Sequence, residues 1–156
     1  MNETKHIAIV GAGLVGSLLA IYLVKRGYKV SVFERRFDMR EHLIDGGRSI
    51  NMALSNRGIK ALEEIGLASQ LKQTAVPMNG RMIHDVSGNL TFQPYGKQGE
   101  FINSISRAGL NMVLTTEAEK LGVEFFFEHR CTSVDFSKTE ITFQVHAATL
   151  HKKFDV

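Results

Sequence analysis

A glycine-rich turn between an apolar strand and a helix constrains the fold of this chain more than any other feature. The run His6 to Val10 is short and continuously apolar, as in a strand buried on both faces of a parallel sheet. Gly11-Ala12-Gly13-Leu14-Val15-Gly16 follows it directly, and the helical spacing of apolar residues begins there. Gly27 is placed to end that helix, and the β-branched run Lys29 to Phe33 follows. The order predicts a β-α-β unit of an α/β fold. The predicted apolar face of the helix contains Val15, Leu18, Leu19 and Tyr22.

Three glycines and one acid give this unit the pattern of a dinucleotide site. Gly11 permits a tight turn, Gly13 lets backbone N–H groups approach a pyrophosphate at the positive end of the helix, and Gly16 allows close helix–strand packing. Glu34 ends the second strand about 20 residues further on, where a carboxylate accepts hydrogen bonds from a ribose 2′-OH. It would repel a 2′-phosphate, which the pair Arg35-Arg36 could otherwise hold. The sequence therefore favours FAD or NAD over NADP. The alternative is a glycine-rich turn in another type of α/β protein.

The composition argues against several other classes of function. The chain has 156 residues and a net charge of +3 spread along its length, so that it lacks the basic stripe of a nucleic-acid-binding protein. Its one cysteine, Cys131, permits neither an intrachain disulfide nor a cysteine-rich metal site, and a cytoplasmic setting is expected. The opening residues MNETKH lack the order of a secretory signal, and no apolar run is long enough for a bilayer. The six histidines match no metal motif, and hydrolase and Walker-type signatures are missing.

Apolar periodicity predicts two more helices and several strands. A helix with Ser55 as its N-cap runs through Ile65 and ends at Gly66, and another begins near Ser106 and ends at Gly122. The later strands are Val123 to Glu128 in the parallel sheet, a hairpin over 132–145 that turns at 137–140, and one more strand within 147–156. Arg107 lies in the first turn of its helix, where a positive charge opposes the helix dipole and an anion nearby would offset it. An exposed arginine tolerated at a small cost is the alternative.

The segment from Arg81 to Tyr95 reads as the two strands of a hairpin. With residues 87–89 as a three-residue loop, Val86 pairs with Leu90, and Arg81 stands directly opposite Tyr95. This register is preferred to that of a two-residue turn, because it separates an apolar, half-buried face from a polar one. The apolar face contains Met82, His84, Val86, Leu90, Phe92 and Pro94, and the other contains Arg81, Ile83, Asp85, Thr91, Gln93 and Tyr95. The guanidinium and the phenol then lie side by side and could bind one carboxylate. The alternative is a solvated Arg81 and a packing Tyr95.

Several longer stretches of sequence occur together in one known family. They are Gly46-Gly47-Arg48-Ser49-Ile50-Asn51-Met52-Ala53-Leu54-Ser55-Asn56-Arg57-Gly58, Met78-Asn79-Gly80-Arg81-Met82-Ile83-His84, Pro94-Tyr95-Gly96 and Ser104-Ile105-Ser106-Arg107-Ala108-Gly109-Leu110-Asn111. With the glycine turn, they resemble the kynurenine 3-monooxygenases, a family of flavin-dependent aromatic hydroxylases, over residues 6 to about 135. The GRSIN and RMIH stretches are more specific than the glycine turn, which many flavin and nicotinamide enzymes share.

The resemblance implies a Rossmann-like FAD-binding fold with a parallel sheet and an inserted antiparallel hairpin. The implied activity is hydroxylation of L-kynurenine at the 3-position of its ring, with FAD as cofactor and NADPH and O₂ as co-substrates. In the family, the residues that match Arg81 and Tyr95 hold the substrate carboxylate, the match of Arg107 contacts FAD, and the backbone near Cys131 meets the adenine end. The Cys131 side chain is expected to be a buried, inert thiol. The residues assigned to the cofactor are Gly11, Gly13, Val15, Gly16, Glu34, Arg35, Ala53, Arg107 and Cys131. None is assigned as a catalytic acid or base, or to a metal.

The resemblance also predicts how the chain is organised. Residues 6–79 and 103–135 would bind the dinucleotide, 80–102 would form the substrate-side hairpin, and 132–156 a β-hairpin or meander. Members of the family are far longer, so the chain is expected to be the amino-terminal part of its domain, with the remainder beyond Val156. Three alternatives stay open: another aromatic-ring flavin hydroxylase, a stand-alone FAD or NAD module without catalysis, and a piece that binds nothing and covers its exposed half-sheet by self-association.

Overall fold

The computed structural model describes residues 4–41 and 51–156, so Gly46 to Ile50 of the GRSIN stretch lie outside the described residues. The helices are α1 (Leu14–Val24), α2 (Asn56–Glu64), α3 (Ala68–Lys72) and α4 (Arg107–Lys120). The strands are β1 (His6–Val10), β2 (Lys29–Phe33), β3 (Asn51–Leu54), β4 (Val76–Met78), β5 (Gly80–His84), β6 (Leu90–Pro94), β7 (Ile102–Ser106), β8 (Glu124–Phe126), β9 (Arg130–Asp135), β10 (Glu140–Val145) and β11 (Ala148–Lys153). The chain forms two compact units, the first of residues 1–48 and 110–156 and the second of 49–109.

The first unit is built on a parallel sheet in the order β1-β2-β8. Ala8 pairs with Ser31 and Ser31 pairs with Glu124, all three strands running in the same direction. β2 is buried along nearly its whole length, as its continuous β-branched and aromatic sequence requires. The predicted β-α-β unit and the predicted third parallel strand are therefore confirmed.

Helix α1 packs on the sheet through small side chains. Gly13 is its N-cap, and the chain leaves it through Gly27 at a φ of +85°, as predicted. The buried residues are Ser17, Ala20 and Ile21. The predicted face was wrong, because Val15 is 80% exposed and Leu19 44% exposed. Serine and alanine let the helix backbone approach the sheet more closely than a row of leucine and valine would, which improves the packing between them. Apolar periodicity in the sequence does not show this improvement, because it registers hydrophobicity and not side-chain size.

A second sheet of the first unit is antiparallel, in the order β9-β10-β11. The predicted hairpin and the added strand are confirmed, with Thr139 at a φ of +49° where the chain turns. Three phenylalanines join the two sheets of this unit: the Phe33 ring stacks on Phe126 at 4.8 Å and on Phe143 at 4.2 Å between centroids. Phe33 and Phe143 are almost fully buried and form the centre of the core.

The second unit contains an antiparallel sheet in the order β3-β7-β4, with helices α2 and α3. Helix α2 confirms the predicted one, since Ser55 is the N-cap and Gly66 has a φ of +86°, although the Ser55 side chain makes no capping hydrogen bond. Leu54, Leu62 and Ile105 are buried within this unit. The sequence reading did not predict α3 or the three strands of this sheet.

The hairpin of β5 and β6 has another register than the predicted one. Arg81 pairs with Gln93, two residues before Tyr95, and the loop is residues 86–88. The shift has a local cause, because the Asp85 carboxylate accepts hydrogen bonds from the backbone N–H groups of Ser87 and Asn89, both at 2.8 Å, and so ends the strand early. Gly88, at a φ of +83°, supplies the left-handed residue that such a three-residue loop needs.

A shift of two residues keeps every side chain of the hairpin on its predicted face. Arg81 and Tyr95 therefore still share a face, as diagonal rather than direct neighbours. The apolar face is exposed among the described residues and not half-buried as predicted: Met82 is 51%, Phe92 54% and Leu90 59% exposed.

Candidate functional site

The glycine turn lies where β1 passes into α1, at the carboxyl edge of the parallel sheet. Gly11 has a φ of +107°, and its N–H donates to the carbonyl oxygen of Phe33 at 2.7 Å, which fixes the turn against β2. A Cβ at position 16 would lie 1.9 Å from the Gly11 carbonyl oxygen. The turn and the first turn of α1 are thus too close for any side chain at Gly16, as the sequence pattern predicts.

Gly13 is different, because the protein leaves the space beside it open. A Cβ at this position would have no described atom within 4 Å, and the backbone is extended, at a φ of −77°. Its N–H donates no hydrogen bond to any residue of the described ranges. An unused N–H at the start of an eleven-residue helix is the arrangement that binds an anion.

Glu34 lies beside the glycine turn and also forms a hydrogen bond with its backbone. Its Oε2 accepts a hydrogen bond from the Ala12 N–H at 3.0 Å, and its Oε1 accepts one from the Arg36 N–H at 3.0 Å. A carboxylate has about four acceptor positions, so each oxygen can accept one more hydrogen bond. These acceptor positions are what the predicted contact with a ribose hydroxyl requires. The contact with Ala12 is a second role, which the sequence spacing did not indicate.

A cavity of about 270 Å³ opens beside the turn and brings together several predicted residues. Its lining residues are Val10, Gly11, Phe33, Glu34, Arg35, His129, Arg130 and Cys131. Cys131 lies in β9 and is partly exposed, so the predicted buried thiol was wrong; its sulfur lies 3.8 Å from the Ser133 carbonyl oxygen. His129 and Arg130 were missed. The sequence contained an indication of their role, because the two basic residues directly follow the third parallel strand and so lie at the same sheet edge as Glu34.

Helix α4 contributes a polar side chain to the turn, which the sequence reading also missed. Asn111 Nδ2 donates to the Ala12 carbonyl oxygen at 2.9 Å, and Ser17 Oγ donates to the same oxygen at 3.3 Å. Ser17 Oγ also lies 3.4 Å from Thr115 Oγ1. Asn111 and Thr115 are four residues apart, on one helix face that is otherwise apolar. That spacing was available in the sequence as a sign of a buried polar contact.

Arg40 ties the segment after β2 to α4. Its guanidinium donates to both carboxylate oxygens of Asp38 through Nε, at 2.9 and 3.0 Å, and to Glu119 Oε1 through Nη2 at 2.9 Å. The hydrogen bonds from Arg40 hold the pKa of Asp38 below its ordinary value, against the opposing effect of burial. Asp38 is only 8% exposed.

The second unit has a larger, open cavity of about 1010 Å³, to which Tyr95 contributes together with Arg57, Glu100 and Phe101. Arg81 is not among its lining residues. The Arg81 side chain is exposed, and its Nε donates to Gln93 Oε1 at 2.7 Å. Gln93 therefore orients the guanidinium, and the terminal nitrogens bind no described residue.

The remaining predicted cofactor residues are exposed within their own units. Val15 lies in the first turn of α1, two residues after Gly13. Ala53 is in β3, opposite Ser104, and Arg107 is the first residue of α4. Their contacts with a cofactor stay predictions.

Neither a bilayer-crossing helix nor a cluster of metal-ligating side chains occurs among residues 4–41 and 51–156. No helix there is long and apolar enough to cross a bilayer. No group of three or more His, Cys, Asp or Glu side chains in these ranges comes together as metal ligands.

Comparisons with known proteins agree with this geometry. The family model described as "FAD binding domain" matches residues 4–155. A kynurenine 3-monooxygenase of Cytophaga hutchinsonii is 55% identical over 130 residues, 82% of this chain and 29% of that protein. The enzyme of that name from Myxococcus xanthus is 51% identical over 146 residues, 91% of this chain and 32% of that protein. The chain thus spans about a third of the length of these relatives.

Solved structures share the fold at low sequence identity. A 2-methyl-3-hydroxypyridine-5-carboxylic acid oxygenase matches 99% of this chain and 38% of its own, with a TM-score of 0.79 and 19% identity. The p-nitrophenol 4-monooxygenase of Pseudomonas putida matches 95% of this chain and 38% of its own, with a TM-score of 0.75 and 21% identity. At these identities the likeness concerns the fold alone.

Proposed function

This chain belongs to the FAD binding domain family, and from that premise we propose that its protein is an FAD-dependent monooxygenase that hydroxylates L-kynurenine at the 3-position, using NADPH and O₂. The observation that carries the proposal is the similarity of most of the chain to kynurenine 3-monooxygenases, at 55% and 51% identity for the two relatives above. The substrate is accordingly a small molecule.

The residues around the glycine turn fit FAD. The Gly13 N–H and the open space beside it suit a pyrophosphate at the helix start, and Glu34 retains acceptor capacity for ribose hydroxyls. Arg35 and Arg130 add positive charge to the cavity wall.

When bound, FAD supplies the redox chemistry with NADPH and O₂, and the protein supplies binding and orientation. The Gly13 N–H and the α1 dipole stabilise the negative charge of the pyrophosphate. Glu34 orients the ribose, and its negative charge disfavours a 2′-phosphate at the same place.

Arg81 and Tyr95 bind the carboxylate of the amino-acid substrate. Their shared face of the hairpin supports this role, since diagonal neighbours on a sheet remain within reach of long and aromatic side chains. The Gln93 contact leaves the Arg81 terminal nitrogens available for a charge-assisted hydrogen bond.

The direct test is turnover by the purified protein with FAD. We expect NADPH oxidation that depends on L-kynurenine, with 3-hydroxykynurenine as the product. Co-elution of flavin absorption with the protein in gel filtration tests the cofactor separately. A protein that bound NAD and no FAD would contradict the proposal and favour a non-catalytic dinucleotide module.

Arg81 is the residue whose loss should affect substrate binding most directly. Arg81→Met should raise the KM for L-kynurenine about 10- to 100-fold, because a charge-assisted hydrogen bond to the carboxylate is lost. The matched substrate is kynuramine, which lacks that carboxylate, and its KM should be the same for both proteins. Lys97→Met, which removes an exposed cation from the loop beyond Tyr95, is the control for charge alone. An unchanged KM for L-kynurenine in Arg81→Met would remove the carboxylate-binding role.

The compartment that we propose is the cytoplasm, since a single cysteine is typical of proteins that fold without disulfides. Self-association that covers the exposed half-sheet is a further proposal, which size in solution would test.

A further inference from the structure

Asn111 holds the middle of the glycine turn from the side of α4. Its Nδ2 lies 2.9 Å from the Ala12 carbonyl oxygen. Because a carbonyl oxygen can only accept, the amide group must present its NH₂ to Ala12, and this fixes the orientation of the whole side chain. Ala12 itself is 5% exposed, so the contact is shielded from solvent.

The geometry of the peptide bond links the contact between Asn111 and Ala12 to the orientation of the Gly13 N–H. The Ala12 carbonyl and the Gly13 N–H belong to one planar, trans peptide group and point in opposite directions. A carbonyl held inward, toward Asn111 and Ser17, therefore directs the Gly13 N–H outward. On that side Gly13 has open space and its N–H has no partner in the described ranges.

The two peptide groups of Ala12 are thus held by two different elements. Glu34, at the end of β2, accepts the Ala12 N–H at 3.0 Å, and Asn111 donates to the Ala12 carbonyl oxygen. The Glu34 contact cannot replace the Asn111 contact, because it fixes the preceding peptide group. Without Asn111, the Ala12 carbonyl would keep only the longer side-chain contact from Ser17, at 3.3 Å.

We propose that Asn111 is a positioning residue of the FAD site, which orients the Gly13 N–H toward the pyrophosphate by anchoring the Ala12 carbonyl. The inference rests on the FAD site of the proposed function. It does not depend on the substrate, since Asn111 and the turn belong to the same compact unit and neither is part of the hairpin.

The unused acceptor of Asn111 supports a specific need for this side chain. Its Oδ1 is buried without a partner among the described residues, which is normally costly for a polar group. An apolar residue at this helix position would avoid that cost. The retained amide is explained by the hydrogen bond that its Nδ2 donates to the turn at 2.9 Å, since its other contact, with Met39 Sδ at 3.7 Å, involves only a weak acceptor.

The test compares Asn111→Leu with Thr115→Val in the full protein. Thr115 lies four residues along the same helix, is buried, and contacts Ser17, which itself donates to Ala12 at 3.3 Å. It is therefore a matched control for a lost polar group that does not contact the Ala12 carbonyl directly. We expect Asn111→Leu to raise the dissociation constant for FAD, measured by flavin fluorescence, about tenfold, as for one lost positioned hydrogen bond. Thr115→Val should change it less than about twofold. The melting temperature of the FAD-free protein separates a loss of fold from a loss of orientation.

A second variant provides a rescue that a purely structural role would not show. Asn111→Asp keeps the shape, but an ionised carboxylate cannot donate to Ala12, whereas the protonated acid can. Its FAD affinity relative to the wild type should therefore recover as the pH is lowered from mildly alkaline to mildly acidic. Equal effects of Asn111→Leu and Thr115→Val, or no recovery of Asn111→Asp, would overturn the inference. A wild-type protein that fails to bind FAD would contradict the FAD site itself.

Discussion

Gly13→Ala is expected to weaken FAD binding about 100-fold while the FAD-free protein stays folded. The protein has no described atom within 4 Å of the added methyl group, and the extended backbone of Gly13 is open to alanine. The methyl group would instead occupy the space that a pyrophosphate needs in order to reach the Gly13 N–H. A loss of about 100-fold in affinity corresponds to about 2.7 kcal/mol, the scale of a charge-assisted contact that can no longer form.

Gly16→Ala is the matched variant with the opposite mechanism. Its Cβ would lie 1.9 Å from the Gly11 carbonyl oxygen, a backbone atom that cannot move without displacing the turn. We expect a loss of about 1–3 kcal/mol in the free energy of unfolding of the FAD-free protein, as is usual for overpacking a close contact.

Two measurements separate these mechanisms. Chemical unfolding of the FAD-free proteins should place Gly13→Ala within about 1 kcal/mol of the wild type, since alanine is a poorer N-cap than glycine by less than about that amount. Titration with FAD should then show the large loss in Gly13→Ala. If Gly13→Ala bound FAD as tightly as the wild type, the pyrophosphate would not lie at this turn.

The elements around the glycine turn were predictable because their patterns are local. A continuous apolar run, a glycine turn and a helix determine the β-α-β unit from neighbouring residues alone. The side of α1 that packs on the sheet was not predictable in this way, because close approach selects Ser17 and Ala20 over the larger Val15 and Leu19. Hydrophobicity indicates which residues gain from burial, and only the packed structure shows how much room there is.

The hairpin shows the same limit in a strand. Alternation of polar and apolar residues fixes the face of each side chain, and the predicted faces were right. Alternation repeats every two residues, so it cannot distinguish two registers that differ by two. The Asp85 side chain determines the register, because its hydrogen bonds with the N–H groups of Ser87 and Asn89 place the loop one residue before the predicted position. A side-chain turn of this kind is the signal that would have corrected the register.

The sequence predicted the individual residues on the cofactor side of the site, but it did not predict the side chains that hold them in place. Glu34 and the glycines lie where the motif puts them, whereas the contacts from Asn111 and Arg40 join segments that are about 75 to 100 residues apart. Such contacts depend on the tertiary arrangement of α4 and leave only a faint trace in the spacing of polar residues along the helix.

The second large effect is expected from Arg40. Arg40→Met keeps most of the side-chain length and removes the charge, which leaves the almost fully buried Asp38 carboxylate without its cation and with only the Arg40 backbone N–H as a donor from this residue. Removing one member of a buried ion pair costs about 3–5 kcal/mol, and Asp38 should account for most of this loss because Glu119 is partly exposed. Lys120→Met breaks an exposed ion pair with Glu117 on the same helix and should cost less than about 1 kcal/mol.

The dependence of this effect on pH identifies Asp38 as its source. The pKa of Asp38 in the folded protein is lowered, chiefly by its hydrogen bonds to Arg40, so the pair stabilises the fold above the ordinary pKa of an aspartate. That stabilisation is lost as the pH falls through the lowered pKa. Arg40→Met removes the side-chain hydrogen bonds and keeps only the one from the Arg40 backbone N–H, so the pKa of Asp38 should be higher than in the wild type and the carboxyl should become neutral at a higher pH.

The difference in unfolding free energy between the wild type and Arg40→Met should therefore be largest near neutral pH and shrink in acid. Adding Asp38→Asn to Arg40→Met removes the unpaired charge and should recover part of the stability at neutral pH. Urea unfolding of the three proteins at neutral and acidic pH measures both effects. A difference that stayed constant with pH, or no recovery in the double variant, would assign the loss to the packing of Arg40 against Phe127 and not to its charge.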